Sequence, residues 1–427
     1  MAKPQRTPCG VSELAYSPQK LIQQDIDHCY HTALTPHNSI IQGNNVIFHI
    51  EGGADFTDLG NTFLEVEIRV RATDDAAVAD TKNVCPINNI FHSMWSQVQV
   101  RLKDCDVGHP SPNYGYRAYL ENLVNFSKQS KDTWMTSVGW CMDQADKFDV
   151  VGNGALAKRR GLIAADKILK LRGKLSTDVA NQPLLIPSHT DITYTLTPQR
   201  AAFALQNFEA DTDFKLELLS ATLIVRKVKL FPAKIAEFER EIAKEPIRLP
   251  ISQVKVTTVS IPSGLSTFQH NALFSGELPQ TILCGLVTNS SYTGSKDKNP
   301  FNFVDADLNH IQLKVNEILV PTYPVTPNFG EKRVAQAYEN LYHLVGRYGD
   351  DWSNGLSVAD FCGGSALYGF VVAADSLCRA DDETLLGQID VNLKFGTPLA
   401  DTMTLVVYSS TQAEVVIDKY RNVLLNV

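Results

Sequence analysis

The chain writes nearly the same strand–turn–strand twice, and this repeat constrains the fold more than any other feature. In QVQVRLKDCDV, Val98, Val100 and Leu102 alternate with Gln97, Gln99 and Arg101. In HIQLKVNEILV, Ile311, Leu313 and Val315 alternate with Gln312, Lys314 and Asn316. The two segments superpose without a gap from Val98/Ile311 to Val107/Val320, 213 residues apart. A period of two means a strand with one buried and one wet face.

Two further pairs follow in the same order. Each hairpin is followed by a Pro-bearing loop and then a helical pattern carrying Ala-Tyr, at Ala118-Tyr119 and at Ala337-Tyr338. Later, DITYTL from Asp191 matches DVNLKF from Asp390. Three ordered pairs point to an internal duplication, each copy about half of the 427 residues. That length also favours two domains over one core.

Each copy reads mainly as strands. The first holds NVIFHI from Asn45, TFLEVEIRVR from Thr62, QVQVRL, DITYTL, and FKLELLSATLIVRKVKL from Phe214. The second holds SQVKVTTVSI, QTILCGLV, IQLKVNEILV, ALYGFVVAA, QIDVNLKF, MTLVVYSS and AEVVID. One helix interrupts each series: residues 115–126, with Tyr116, Tyr119, Leu120 and Leu123 on one face, and residues 329–346, with Asn328 as expected N-cap and Glu331 completing a capping box. About eight antiparallel strands per copy is the count of a jelly roll. The expected fold is therefore all-β, two tandem eight-stranded jelly rolls with inserted helices. The expected divisions are an N-terminal arm at 1–43, a first roll at 44–231, a linker helix at 232–250 and a second roll at 251–427. The linker, PAKIAEFEREIAKEP, is bracketed by Pro232 and Pro246. The arm is polar and Pro-bearing, with too little apolar surface to fold alone.

Composition narrows the function classes. The hydrophobic fraction is 44% and no run reaches the ~18 residues of a membrane span. The opening MAKPQRTPCG lacks the apolar segment of a secretory signal, so no secretory route is expected. The eight cysteines form no CxxC and are expected as free thiols. A net charge of -8 argues against a chain that coats nucleic acid, and no specific nucleic-acid site is expected.

Chemistry-bearing patterns are sparse. His28, Cys29 and His31, with His37 nearby, form the richest candidate metal cluster, but no second ligand pair stands at a standard spacing. His49, His189, His270, His310 and His343 are isolated. Ser365 lacks the second Gly of a nucleophile elbow. VGNGALAKRRG from Val151 lacks the ending of a phosphate loop and reads as a mobile loop, with Lys158, Arg159 and Arg160 as a solvated or interface charge run. Trp95, Trp134, Trp140 and Trp352 suit sugar stacking or packing equally. No catalytic residue, cofactor or metal is therefore expected. Two rival readings remain: a tandem jelly-roll glycan-binding or minor (vertex) capsid protein, and a cupin-like metal enzyme.

Several segments carry a family resemblance. PINNIFHSMWSQVQVRL from Pro86, PNYGYRAYLENLVNF from Pro112, LIVRKVKL from Leu223, KNPFNFVDADLNHIQLKVN from Lys298 and IDKYRNVLL from Ile417 resemble the major capsid proteins of Polinton (Maverick) elements and adintoviruses. ADFTDLGNTFLEV from Ala54 and IPSGLSTF from Ile261 add to it. The resemblance implies a double jelly roll similar to adenovirus hexon. It implies homotrimers with a six-sided outline that tile an icosahedral shell around DNA. It implies vertex (penton) and minor capsid proteins as partners beside neighbouring capsomers, and the virion as location, with assembly inside the host cell. On that reading both helices project near the trimer's top or flanks, and the arm runs along the shell's inner side. The turn Lys103-Asp104 departs from the Asn-Gly or Asp-Gly of a tight hairpin, and Asn316-Glu317 supplies half of it.

Overall fold

Leu64, Val66, Ile68 and Val70 turn one face of a long strand inward, and all four side chains are buried. Glu65, Glu67, Arg69 and Arg71 on the other face stay half-buried. That strand is the organising element of the first of two sandwiches in a computed structural model that describes residues 25–109, 111–372 and 386–426.

The first half carries β1 (Ile26–Leu34), β2 (Val46–Ile50), β3 (Phe56–Ala72), β4 (Val84–Pro86), β5 (Trp95–Leu102), β6 (Cys105–Asp106), β7 (Leu169–Gly173), β8 (Ile192–Pro198), β9 (Leu205–Asn207) and β10 (Phe214–Leu230). The second carries β11 (Ile247–Ile261), β12 (Thr267–Glu277), β13 (Thr281–Thr288), β14 (Leu308–Val315), β15 (Ile318–Val325), β16 (Leu367–Val371), β17 (Leu386–Phe395), β18 (Met403–Ile417) and β19 (Val423–Asn426).

Sheet order decides the topology. The first half pairs β1-β10-β3-β7 and β2-β8-β5-β6, with β4 and β9 as a small side sheet. The second pairs β11-β18-β13-β16 and β12-β17-β14-β15, with β19 added beside β18. Leaving out β4, β9 and β19 and counting along each half, both read first–eighth–third–sixth and second–seventh–fourth–fifth. This is the jelly roll, written twice. The repeated hairpins are β5–β6 and β14–β15, the fourth and fifth strands of each roll. DITYTL and DVNLKF are both the seventh. Both strand pairs of the repeat thus fall at equivalent positions.

The hairpins close with two-residue turns, because Leu102 pairs with Cys105 and Val315 with Ile318. Asn316 and Glu317 both take positive φ, at 46° and 72°, as a type I′ turn requires. In the first turn Lys103 takes φ 52° in place of a glycine.

The boundaries move. Ile26–Leu34, expected inside the arm, is β1, the edge strand of the first roll, paired with β10 from Leu230 to Leu223. Its side chains are mostly exposed, so it shows no apolar alternation to read. The rest of the expected arm up to residue 24 lies outside the described residues, as do the last residues of ALYGFVVAA. The linker helix spans Pro232–Ile242, with Pro232 at its first turn, but 247–250 already belong to β11. The second inserted helix is Ala335–Leu344. Asn328 Oδ1 does accept from Glu331 N at 3.0 Å, yet Lys332 at φ 54° breaks the chain direction before the helix begins.

Gly285 lies inside the central strand β13, and its backbone is closely approached. A Cβ there would stand 2.4 Å from the Phe303 ring and 2.8 Å from Leu367. Gly285→Ala should therefore cost about 1–3 kcal/mol by overpacking, read as a lower thermal midpoint.

Candidate functional site

The seam between the two rolls holds the densest arrangement of functional-type side chains. At its centre is the helix Tyr114–Asn125, which follows β6. Its apolar positions recur at helical spacing, and Tyr116, Tyr119, Leu120 and Leu123 are all buried. Asn113 precedes the helix but makes no cap bond. Its side chain is drawn to the second roll, donating to Val256 O at 3.4 Å and accepting from Tyr292 Oη at 3.2 Å. The helix therefore does not project outward as expected. It is buried because the second roll supplies a face for its apolar stripe.

Aromatic rings fill the seam. Tyr119 stacks on Phe301 with centroids 4.0 Å apart and planes 3° apart, and on Trp140 at 5.4 Å. Tyr116 meets Phe203 and Phe301 edge-on. Such pairs add about 0.5–1.5 kcal/mol each beyond burial.

Buried charge is matched across the same seam. Arg117 bonds Asp178 at 2.5 Å and Glu121 at 3.0 Å, Asp178 also accepts from Val254 N at 3.2 Å, and Tyr408 Oη donates to Glu121 at 3.3 Å. Desolvation works against the Arg117 charge, and Asp178 and Glu121 outweigh it. Lys131 is buried, donating to Leu123 O at 2.5 Å and to Asn354 O of the second roll at 2.6 Å. Burial lowers its ammonium to about 7. Arg421, in the turn after β18, donates to Ser188 O of the first roll and to Glu239 of the helix Pro232–Ile242. The rolls are thus one body, locked by side chains from both.

The expected charge run is not solvated throughout. VGNGALAKRRG forms the helix Gly154–Ile163, capped where Asn153 accepts from Ala155 N. Arg159 is buried against Asp143 at 2.8 Å, while Lys158 is exposed and Arg160 bonds Asn83. Asp143 also accepts from Asn153 and Asn299, so this cluster ties a loop of the second roll to the first. No spacing rule along the chain points to this pair.

The other candidates do not converge. His28, Cys29 and His31 lie on β1, where successive side chains alternate, so His28 faces away from the other two. Cys29 instead neighbours the Arg226 guanidinium, itself paired with Asp58 at 2.6 Å. Among the described residues, no three His, Cys, Asp or Glu side chains are grouped to hold a metal ion. Ser365 is buried and its Oγ has no hydrogen-bond partner. Trp95 and Trp140 are buried, Arg347 lies over Trp352 at 5.2 Å, and Trp134 is exposed. Trp134 lines a cavity of about 960 Å³ in the groove between the rolls, with Phe63, Phe126, Arg172, Lys174 and Tyr408. His92 also lines it, but bonds Tyr114 Oη at 2.9 Å and not a nucleophile.

No protein-family model matches the chain. It is 24% identical over 295 residues to the uncharacterized protein F54H12.2 of Caenorhabditis elegans, covering 68% of this chain and 69% of that protein. Solved structures are similar over nearly the whole length. A chain of the Sputnik virophage, solved by cryo-EM, has a TM-score of 0.60 at 12% identity, with 97% of this chain and 91% of that one covered. The Faustovirus major capsid protein has a TM-score of 0.60 at 7% identity, with 97% and 92% covered. The mavirus major capsid protein has a TM-score of 0.55 at 11% identity, with 93% and 90% covered. The fold is the double jelly roll of viral major capsid proteins.

Within this double jelly roll the seam is asymmetric. The helix after β6 and the loops at Ser111 and Asp178 pack on the edge of β11-β18-β13-β16, through the backbone of Val254 and Val256 in β11, and on its outer face through Tyr408. The equivalent helix, Ala335–Leu344, instead lies on β16 of its own roll, with Ala337 and Leu341 buried. The equivalent sheet face, on β3, β10 and β7, carries a half-exposed ion-pair network: Arg69 with Glu217 at 3.0 Å, Arg71 with Asp166 at 2.7 Å, and Arg172 with Glu65 at 3.1 Å.

Proposed function

We propose that this chain is a major capsid protein of the Polinton and adintovirus lineage, which trimerises into six-sided capsomers that tile an icosahedral shell around a DNA genome. The observation that carries the proposal is the asymmetric seam between two rolls of identical strand order. A contact between different faces of two similar bodies is heterologous, and repeated heterologous contacts close into a ring when the rotation allows. One chain makes one such contact and leaves its two complements open. Three chains place six rolls in a ring, with seams alternately within and between chains. Outer contacts, to neighbouring capsomers and to vertex and minor capsid proteins, are then smaller and more polar than those inside the ring. The likeness of the fold to major capsid proteins supports this reading.

The solution mass tests it. Light scattering after gel filtration should give a stable species of three chains, with a six-sided outline in negative stain. A clean monomer at micromolar concentration would overturn the proposal and turn attention to glycan binding.

A further inference from the structure

The two equivalent hairpins differ in what covers them. The tip of the first is occupied within the chain. Lys103 Nζ donates to Asn422 Oδ1 at 3.2 Å, and β6 lies against β19. Asn422 is held in place by Asp418, which accepts from its backbone and side-chain N–H groups at 2.8 and 2.9 Å. The first hairpin therefore docks on the turn that follows β18, the eighth strand of the second roll.

Among the described residues the second hairpin has no such cover. Its strand β15 is the free edge of β12-β17-β14-β15. Three apolar side chains on it stand in solvent: Ile318 is 69% exposed, Leu319 45% and Tyr323 80%. An edge strand with exposed apolar side chains templates association, and soluble proteins normally blunt or cover it. The residue that replaces Cys105 at the closing pair is Ile318, so the second copy is more apolar at the same place.

The internal repeat says where its complement lies. Ile417 ends β18 opposite Ile247, and Leu230 ends β10 opposite Ile26. The residue after Ile417 is Asp418, which organises the turn that receives the first hairpin. The residue after Leu230 is Phe231, 43% exposed. Where the occupied seam offers a polar turn to a lysine, the open one offers an exposed phenyl ring to an isoleucine. Glu317 at the hairpin turn is nearly fully exposed, and Lys229, half-exposed, stands two residues before Phe231.

We propose that Ile318, Leu319 and Tyr323 of β15 dock on a second copy of this chain at Phe231 and the start of the helix Pro232–Ile242, repeating between chains the contact that the β5–β6 hairpin makes within one. The proposal rests on the reading that copies of the chain close into a ring. It adds which surfaces meet. It also explains why the second hairpin is apolar where the first is polar: the first has a tethered partner, and the second must hold one from solution.

The test uses the full chain. Ile318→Glu combined with Leu319→Glu should weaken association at least tenfold, seen by light scattering as loss of the three-chain species across a dilution series. The fold should stay intact, read as an unchanged far-ultraviolet circular dichroism spectrum, since both side chains are largely exposed in the single chain; the apparent thermal midpoint falls only by what lost association takes away. Separately, Ile318→Cys combined with Phe231→Cys should form an interchain disulfide under mild oxidation, and each single variant should not. A wild-type trimer that survives both glutamates, with no 318–231 crosslink, overturns this contact and leaves the capsid reading standing. A wild-type monomer overturns both. A crosslink that leaves the chain at its single-chain mass also overturns the contact, because the two surfaces would then meet within one molecule.

Discussion

Asp178→Ala is expected to destabilise the chain by about 3 kcal/mol, the cost of breaking a buried ion pair on one side only. Asp178 accepts from Arg117 at 2.5 Å and from Val254 N at 3.2 Å, and its side chain is fully buried. Without it the Arg117 guanidinium, which does not deprotonate, keeps only Glu121 in a largely buried site. The backbone N–H of Val254 loses its acceptor as well. Asp178→Asn should cost less, because the amide oxygen still serves Val254. Chemical denaturation of the three proteins orders them, and equal midpoints for wild type and Asp178→Ala would show that the network does not hold the seam. Asp178 comes from the first roll and Val254 from the second, so the loss should also loosen the rolls relative to each other. Faster hydrogen exchange in β11 would report that loosening.

Stability should also fall with acid through one imidazole. His92 is buried with its Nδ1 2.9 Å from Tyr114 Oη, and desolvation pulls its pKa down to about 3. The folded state therefore keeps the ring neutral while the unfolded chain takes up a proton near pH 6.5. The unfolded state binds more protons between those values, so stability drops as pH falls from about 6.5 toward 3. The loss attributable to this residue should be about 2 kcal/mol between pH 6.5 and 4.5, from ~1.4 kcal/mol per pH unit. His92→Gln cannot titrate and should flatten that part of the profile. Parallel pH profiles for the two proteins would mean that the ring gains solvent, or a counter-charge, before it protonates.

Strand periodicity is a local property, and it carried most of the fold. β3, β5, β8, β10, β14 and β17 are legible because each buries one face and wets the other, and sheets write that difference every second residue. The duplication is legible for the same reason: equivalent strands face equivalent environments and keep similar patterns. β1 and β12 were not legible. Both are edge strands of their sheets with largely exposed side chains, held by backbone hydrogen bonds that any sequence can make. The helix Gly154–Ile163 hid for a different reason. Its buried face, Ala155, Leu156 and Ile163, is interrupted by the charged Arg159, whose partner Asp143 stands 16 residues away.

Hydrophobic alternation and turn chemistry act over a few residues, so the two jelly rolls, their order and the inserted helices can be read along the chain. Which faces meet cannot be read that way. Whether Tyr114–Asn125 projects or is buried depends on Phe301, Val254 and Tyr408 arriving from more than a hundred residues away. Whether the first hairpin tip is covered depends on where the turn after β18 lies in space. Contacts of that range leave no periodic trace along the chain.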